Sequence, residues 1–153
     1  MDNYLEEIKK IAEEFLDKLG MKGSVAVTQD EENEVVNLQI ETEDSGYLIG
    51  YHGETLEAFQ LLLSLMVYKK LKAWKRLVVN VGNYREDRSD QLKKLALNVA
   101  QKVKFSGEAQ VIPNLSPSER RMVHLSLADH PDVFSESEGE GEERRLVVKP
   151  KKK

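Results

Sequence analysis

Two short clusters hold the residues whose types and spacing suit binding chemistry. The first is Gly50-Tyr51-His52-Gly53, where two residues without a Cβ bracket two aromatic rings just before a helical pattern that begins at Leu56. Glycines at this spacing let a second backbone come close, and the start of the following helix offers unpaired N–H groups and a partial positive charge. A phosphodiester chain suits such a surface, although the same tetrad also serves as an ordinary turn between helices. The second cluster is Arg120 and His124, four residues apart, so that on a helix both side chains rise from one face. Arginine forks onto phosphate or stacks on a base, and histidine donates to phosphate or stacks beneath a base. The competing reading is a histidine packed and hydrogen-bonded under a strand.

The elements that must position these residues follow from hydrophobic spacing. Leu5, Ile8, Ala12, Phe15, Leu16 and Leu19 form one helix face, stopped by Gly20. Strands follow over Ser24 to Gln29 and Val35 to Thr42, joined by the polar turn at Asp30 to Asn33. A short helical turn leads into the glycine tetrad. Leu56, Phe59, Leu62, Leu63 and Met66 then set a helical stripe that Leu61, Leu65 and Val67 widen until the helix reads as nearly buried, closed by Lys69, Lys70 and Lys72. Arg76 to Val81 is a third strand, giving the order α-β-β-α-α-β.

Past a short junction, Asn83 caps a helix whose apolar face is Leu92, Leu95, Ala96, Val99, Ala100 and Val103, with Gly107 ending it. Ala109 to Ile112 is a short strand. Ser116-Pro117-Ser118-Glu119 is a capping box with proline at the first helical position, and its helix holds Met122, Val123, Leu125 and Leu127. Val133 to Ser137 and Leu146 to Lys149 read as strands flanking an acidic turn, and Pro150 to Lys153 as a frayed basic tail.

At 153 residues the chain holds one ordinary domain or two small ones. The absence of cysteine excludes disulfides and thiolate metal sites. No apolar run approaches the roughly 20 residues that span a bilayer, and the first residues lack the pattern of a secretory signal, so a cytoplasmic location without membrane insertion is expected. Net charge is −4, but it is unevenly spread: −8 over residues 1–43, +4 over 44–131 and zero over 132–153. Positive charge thus gathers around the two clusters, as phosphate recognition requires, though each single cation also reads as a solvated helix face. The three histidines show no metal spacing, the tetrad lacks the lysine and hydroxyl of a nucleotide-binding loop, and Ser64, Ser89 and Ser116 lie in helix or cap patterns. Neither an enzyme nor a cofactor is expected.

The stretch Leu48-Ile49-Gly50-Tyr51-His52-Gly53-Glu54-Thr55-Leu56-Glu57-Ala58-Phe59 resembles the core of a KH domain, whose Gly-x-x-Gly loop clamps single-stranded backbone. Leu115 to Leu125, with Ser135, Gly139, Gly141, Arg144 and Val147-Val148, resembles the R-3-H domain. Together they resemble the bacterial Jag family, also called KhpB or SpoIIIJ-associated proteins. The resemblance implies an α+β fold, with a bacterial type II KH domain over residues 1–82. A small α/β R-3-H domain, with a three-stranded sheet and two helices, is implied over 83–153. It also implies binding of single-stranded RNA, with single-stranded DNA as an alternative, in post-transcriptional regulation affecting the cell envelope or division.

By residue, the resemblance assigns the clamp to Gly50, Tyr51, His52 and Gly53 and the signature pair to Arg120 and His124. Arg121, Arg144 and Arg145 would assist, and Tyr84, Arg85 and Arg88 would open the second module. It further implies a homodimer, or a heterodimer with a small single-KH protein, and the apolar third helix makes a protein-interaction module the rival function. Two departures are expected. The small N-terminal domain of many members is read as lacking here, so roles attached to it are not carried over. The variable clamp pair is Tyr51-His52 where a lysine or arginine is common, so stacking, worth about 1–3 kcal/mol per base, would substitute for charge.

Overall fold

The computed structural model describes residues 3–152, which form two compact units dividing after Arg85. The architecture is α+β. In the first unit, helix α1 (Asn3–Lys18) buries Ile8, Ala12 and Leu16 at helical spacing. It ends where Gly20 takes φ +76°, so that the Gly20 and Met21 N–H groups donate back to the Asp17 and Leu16 carbonyls. This is the glycine-terminated cap that satisfies the last helical acceptors. Strands β1 (Gly23–Asp30) and β2 (Val35–Thr42) pair antiparallel. In the turn between them, Asp30 accepts hydrogen bonds from the side chain and backbone of Asn33, which hold its carboxyl below the usual carboxylate range.

Strand β3 (Arg76–Val81) lies parallel to β2, a geometry that demands a long crossover. Helix α2 (Ser45–Ile49), a 3-10 turn over Tyr51–Gly53 and helix α3 (Glu54–Leu71) supply it. Register places Val36 opposite Leu77, Leu38 opposite Val79 and Ile40 opposite both Val25 and Val81, so one sheet face is continuously apolar. Against it pack α1 and the Leu56, Phe59, Leu63 and Val67 face of α3, with Phe15 stacked on Phe59 at 4.6 Å between ring centres. Helix α3 departs from the nearly buried cylinder expected of it: Leu61, Leu62 and Leu65 are exposed. A helix on one side of a single sheet has only one face to bury, however apolar the rest of its circumference.

The second unit is built on α4 (Tyr84–Ser106), whose first two residues belong to the first unit, β4 (Gln110–Ile112), α5 (Pro117–Leu127), β5 (Val133–Glu138) and β6 (Arg145–Pro150). Its sheet runs β4-β6-β5, antiparallel throughout. Leu92, Ala96, Ala100 and Val103 of α4 and Val123 and Leu127 of α5 meet Ile112, Val133, Leu146 and Val148 in one core. Leu95 and Leu125, expected on the apolar faces, are exposed. Lys149 bridges Glu136 and Glu138 on β5, which raise its pKa above the ordinary lysine value. Pro150 and Lys151, expected in a frayed tail, are held instead: β6 includes Pro150, and the Lys151 N–H donates to the Asp132 carbonyl, while Lys153 lies outside the described residues.

Candidate nucleic-acid interface

The glycine tetrad is a tight, left-handed corner. Gly50, His52 and Gly53 have φ of +72°, +50° and +82°. The Gly50 N–H closes α2 onto the Gly46 carbonyl, and Gly53 leads directly into α3. Glycine adopts such positive φ without the steric cost that a Cβ carries. A Cβ on Gly50 would strike Thr55, at 2.7 Å from its Cβ; one on Gly53, which is buried, would meet the Tyr84 hydroxyl at 2.8 Å and its Cε1 at 3.0 Å. The space that glycine leaves is therefore filled from within the protein. Sequence reasoning assigned that space to a ligand, and the inward partners Thr55 and Tyr84 carried no signal in the pattern.

What the corner presents outward is its middle. Tyr51 is 62% exposed and stacks on the His52 ring, 4.0 Å between centroids and 15° from parallel. The start of α3 carries the exposed Glu54 and Glu57 in its first turn, two carboxylates set against the positive end of the helix. The loop thus offers aromatic surface and little positive charge.

Arg85 is drawn into the fold of the first unit. Its Nε donates to the Val79 carbonyl at 2.6 Å and its NH2 to Gln60 Oε1 at 2.9 Å, the same oxygen that accepts the Val79 N–H. In the second unit Arg88 forks onto Glu119 at 2.8 and 3.4 Å. Glu119 also accepts the Ser116 N–H, while Ser116 Oγ accepts the Glu119 N–H, completing the expected capping box of α5. Both arginines, expected as supporting cations, have structural partners: Arg85 the Val79 carbonyl and Gln60, Arg88 the Glu119 carboxylate.

Helix α5 carries the second cluster. Arg120 is half-buried, and its NH1 donates to the Leu115 carbonyl at 2.7 Å. His124 is exposed, yet its Nδ1 lies 2.7 Å from Oγ of Ser135. Ser135 faces the core beside Val148 and is itself buried, so its hydroxyl needs a partner and the histidine ring supplies one. This contact fixes the ring and leaves Nε2 on the far side. Arg121 and Arg145 are exposed and their side chains make no hydrogen bond or ion pair among the described residues; the Arg144 NH1 donates to the Gly139 carbonyl at 3.3 Å.

Among the described residues no group of side chains is arranged to hold a metal ion, and no helix is long and apolar enough to cross a membrane. The KhpA/KhpB KH-domain family matches residues 6–81, and the R-3-H domain family matches residues 90–150. An RNA-binding protein KhpB of Clostridium symbiosum is 33% identical over 140 residues, 92% of this chain and 63% of that protein. Proteins of the same name are 30% identical in Streptococcus pneumoniae serotype 2, over 93% of this chain and 43% of the relative, and 31% identical in Bacillus subtilis, over 85% and 64%. The chain spans less than two thirds of the length of each of these three relatives. A KH domain of this type followed by an R-3-H domain, with relatives matched along most of the chain, places it in the KhpB family.

Proposed function

We propose that the protein binds single-stranded RNA, without catalysing a reaction, through the Gly50 to Gly53 corner of the first unit and the Arg120 and His124 face of the second. The observation that carries this reading is the Tyr51 and His52 stack, held outward by a corner whose glycines are locked from behind. An exposed aromatic pair on a rigid turn accepts a base at low entropic cost, whatever the sequence. His124, oriented through Ser135, and the uncommitted Arg121 and Arg145 supply phosphate donors on the second unit. The names of the relatives support the same class of ligand. Regulation of transcripts for the envelope or cell division is the wider role to which this binding belongs, in the cytoplasm.

Replacing Tyr51 and His52 together by aspartate tests the clamp. Neither residue is in the core, so thermal unfolding stays nearly unchanged while affinity for single-stranded RNA falls by at least tenfold, the loss of about one stacked base. Unchanged affinity removes the corner from the mechanism. Arg120→Ala and His124→Ala put the same question to the second unit.

A specific feature favours a second role alongside the first. Leu61, Leu62, Leu65 and Tyr68 on α3 and the nearby Trp74, 60% exposed, leave an apolar surface on the first unit. It suits a second copy of the chain or a small single-KH protein. Leu61→Glu with Leu65→Glu should make a dimer monomeric in sedimentation without loss of folded structure; a wild-type chain that is monomeric at high micromolar concentration excludes self-pairing.

A further inference from the structure

The second unit has a hollow of about 720 Å³ away from the residues discussed so far, lined by Asn98, Gln101, Lys102, Phe105, Ser106 and Gln110. Its size falls within the roughly 300–1,000 Å³ typical of small-ligand sites. Phe105 is 84% exposed, the highest value of any large apolar residue among the described residues. Asn98, Gln101, Lys102 and Phe105 share one stripe of α4, and Gln110 begins the edge strand β4.

Three observations bear on what this hollow takes. No carboxylate lines it, in a protein with 27 acidic side chains. The side-chain amides of Asn98, Gln101 and Gln110 and the ammonium of Lys102 make no hydrogen bond or ion pair among the described residues, whereas neighbouring Lys104 is committed to Asp132 at 3.1 Å. The Phe105 ring likewise has no aromatic or cationic partner there. An apolar protein ligand would satisfy the ring and strand three carboxamides; a free anion would satisfy the lysine and strand the ring. A planar heterocycle with donors and acceptors on its edge and a phosphate attached satisfies all of them at once.

We propose that this hollow is a nucleobase site, in which Phe105 stacks on one base of a single-stranded RNA, the carboxamides of Asn98, Gln101 and Gln110 reach its edge, and Lys102 meets the adjoining phosphate. The proposal rests on the RNA-binding reading above and adds a contact to it. Because each carboxamide offers both a donor and an acceptor and exchanges them by flipping about its terminal bond, the site tolerates more than one base.

Two measurements on the full chain test it. With a single-stranded RNA of about 16 nucleotides, Phe105→Ala weakens binding about tenfold while the dependence of affinity on salt keeps its slope; Lys102→Ala reduces the log-log slope by about 0.7; and Phe105→Trp binds as wild type. In parallel, millimolar adenosine or uridine monophosphate shifts the NMR signals of the Phe105 ring and of the three side-chain amides, and the amide shifts vanish in Phe105→Ala. RNA that binds wild type and Phe105→Ala equally overturns the site and leaves the wider function standing. RNA that fails to bind the wild-type chain overturns that function, and with it this proposal unless the mononucleotide shifts are present, which support the site by themselves. Conversion of an oligomer to a monomer by Phe105→Ala identifies the hollow as a protein contact and overturns the proposal.

Discussion

Two glycines spaced for a ligand turn out to be spaced for their own protein. Gly50 lies over Thr55 and Gly53 over Tyr84, both at positive φ. Substituting either therefore strains the fold before it touches any RNA. Gly53→Ala carries about 1–2 kcal/mol for a Cβ in left-handed backbone, with the collision against the Tyr84 ring added to it. Removing the ring relieves the second part only. Gly53→Ala with Tyr84→Ala is thus expected to be less destabilising than the sum of the single variants, by roughly 0.5–2 kcal/mol in a denaturation cycle. Strict additivity would mean that the ring does not set the requirement for glycine. The consequence for binding experiments is practical: loss of affinity in a glycine variant reports on folding, whereas changes at Tyr51 and His52 report on contact.

At the scale of elements, the second unit hangs its signature helix on a charge. Glu119 caps α5 and receives Arg88 from α4, with the carboxylate side chain 10% exposed and the guanidinium 19%. Glu119→Gln keeps the size but removes the carboxylate onto which Arg88 forks in a partly enclosed place. The expected cost is about 2 kcal/mol, below the 3–5 of a fully buried broken pair. Because the residues that follow Glu119 include Arg120 and His124, RNA affinity should fall with stability and recover in part when Arg88→Met removes the guanidinium that Glu119 no longer neutralises. A Glu119→Gln protein as stable as wild type would mean that the negative charge adds nothing beyond the hydrogen bonds a carboxamide also makes. Most of this architecture was legible beforehand. The capping box, the alternation of β2 and β3 and the glycine stop of α1 are local signals, and each was found within a residue or two of its expected bounds. What was not legible depends on partners distant in sequence. Arg85 and Arg88 looked like ligand cations because nothing nearby announced Val79, Gln60 or Glu119 as their acceptors. Large apolar residues lie on both sides of α3, with Ser64 on the buried one and Leu61, Leu62 and Leu65 on the exposed one, so its sequence did not distinguish the sheet side from the side left to solvent.

For the molecule as a whole, the proposed function raises the question of how a chain of net charge −4 would hold a polyanion. Residues 1–43 carry −8 and the start of α3 adds Glu54 and Glu57 beside the corner, so long-range attraction is weak there and contact must come from stacking and short hydrogen bonds. The two carboxylates have opposite effects on stability and on binding. At the first turn of a helix each stabilises the fold, by about 0.3–1 kcal/mol, through the dipole. Against a phosphate lying on the same helix start each is repulsive. Glu54→Gln with Glu57→Gln is therefore expected to lower the melting temperature by a few degrees and, in the same protein, to tighten RNA binding several-fold at low salt, an advantage that fades as salt screens the interaction. The opposed signs make the result hard to mistake for general damage, which would weaken both. A variant that loses stability and gains no affinity would mean that the nucleic acid does not approach the start of α3, and the clamp would have to be sought on the second unit alone.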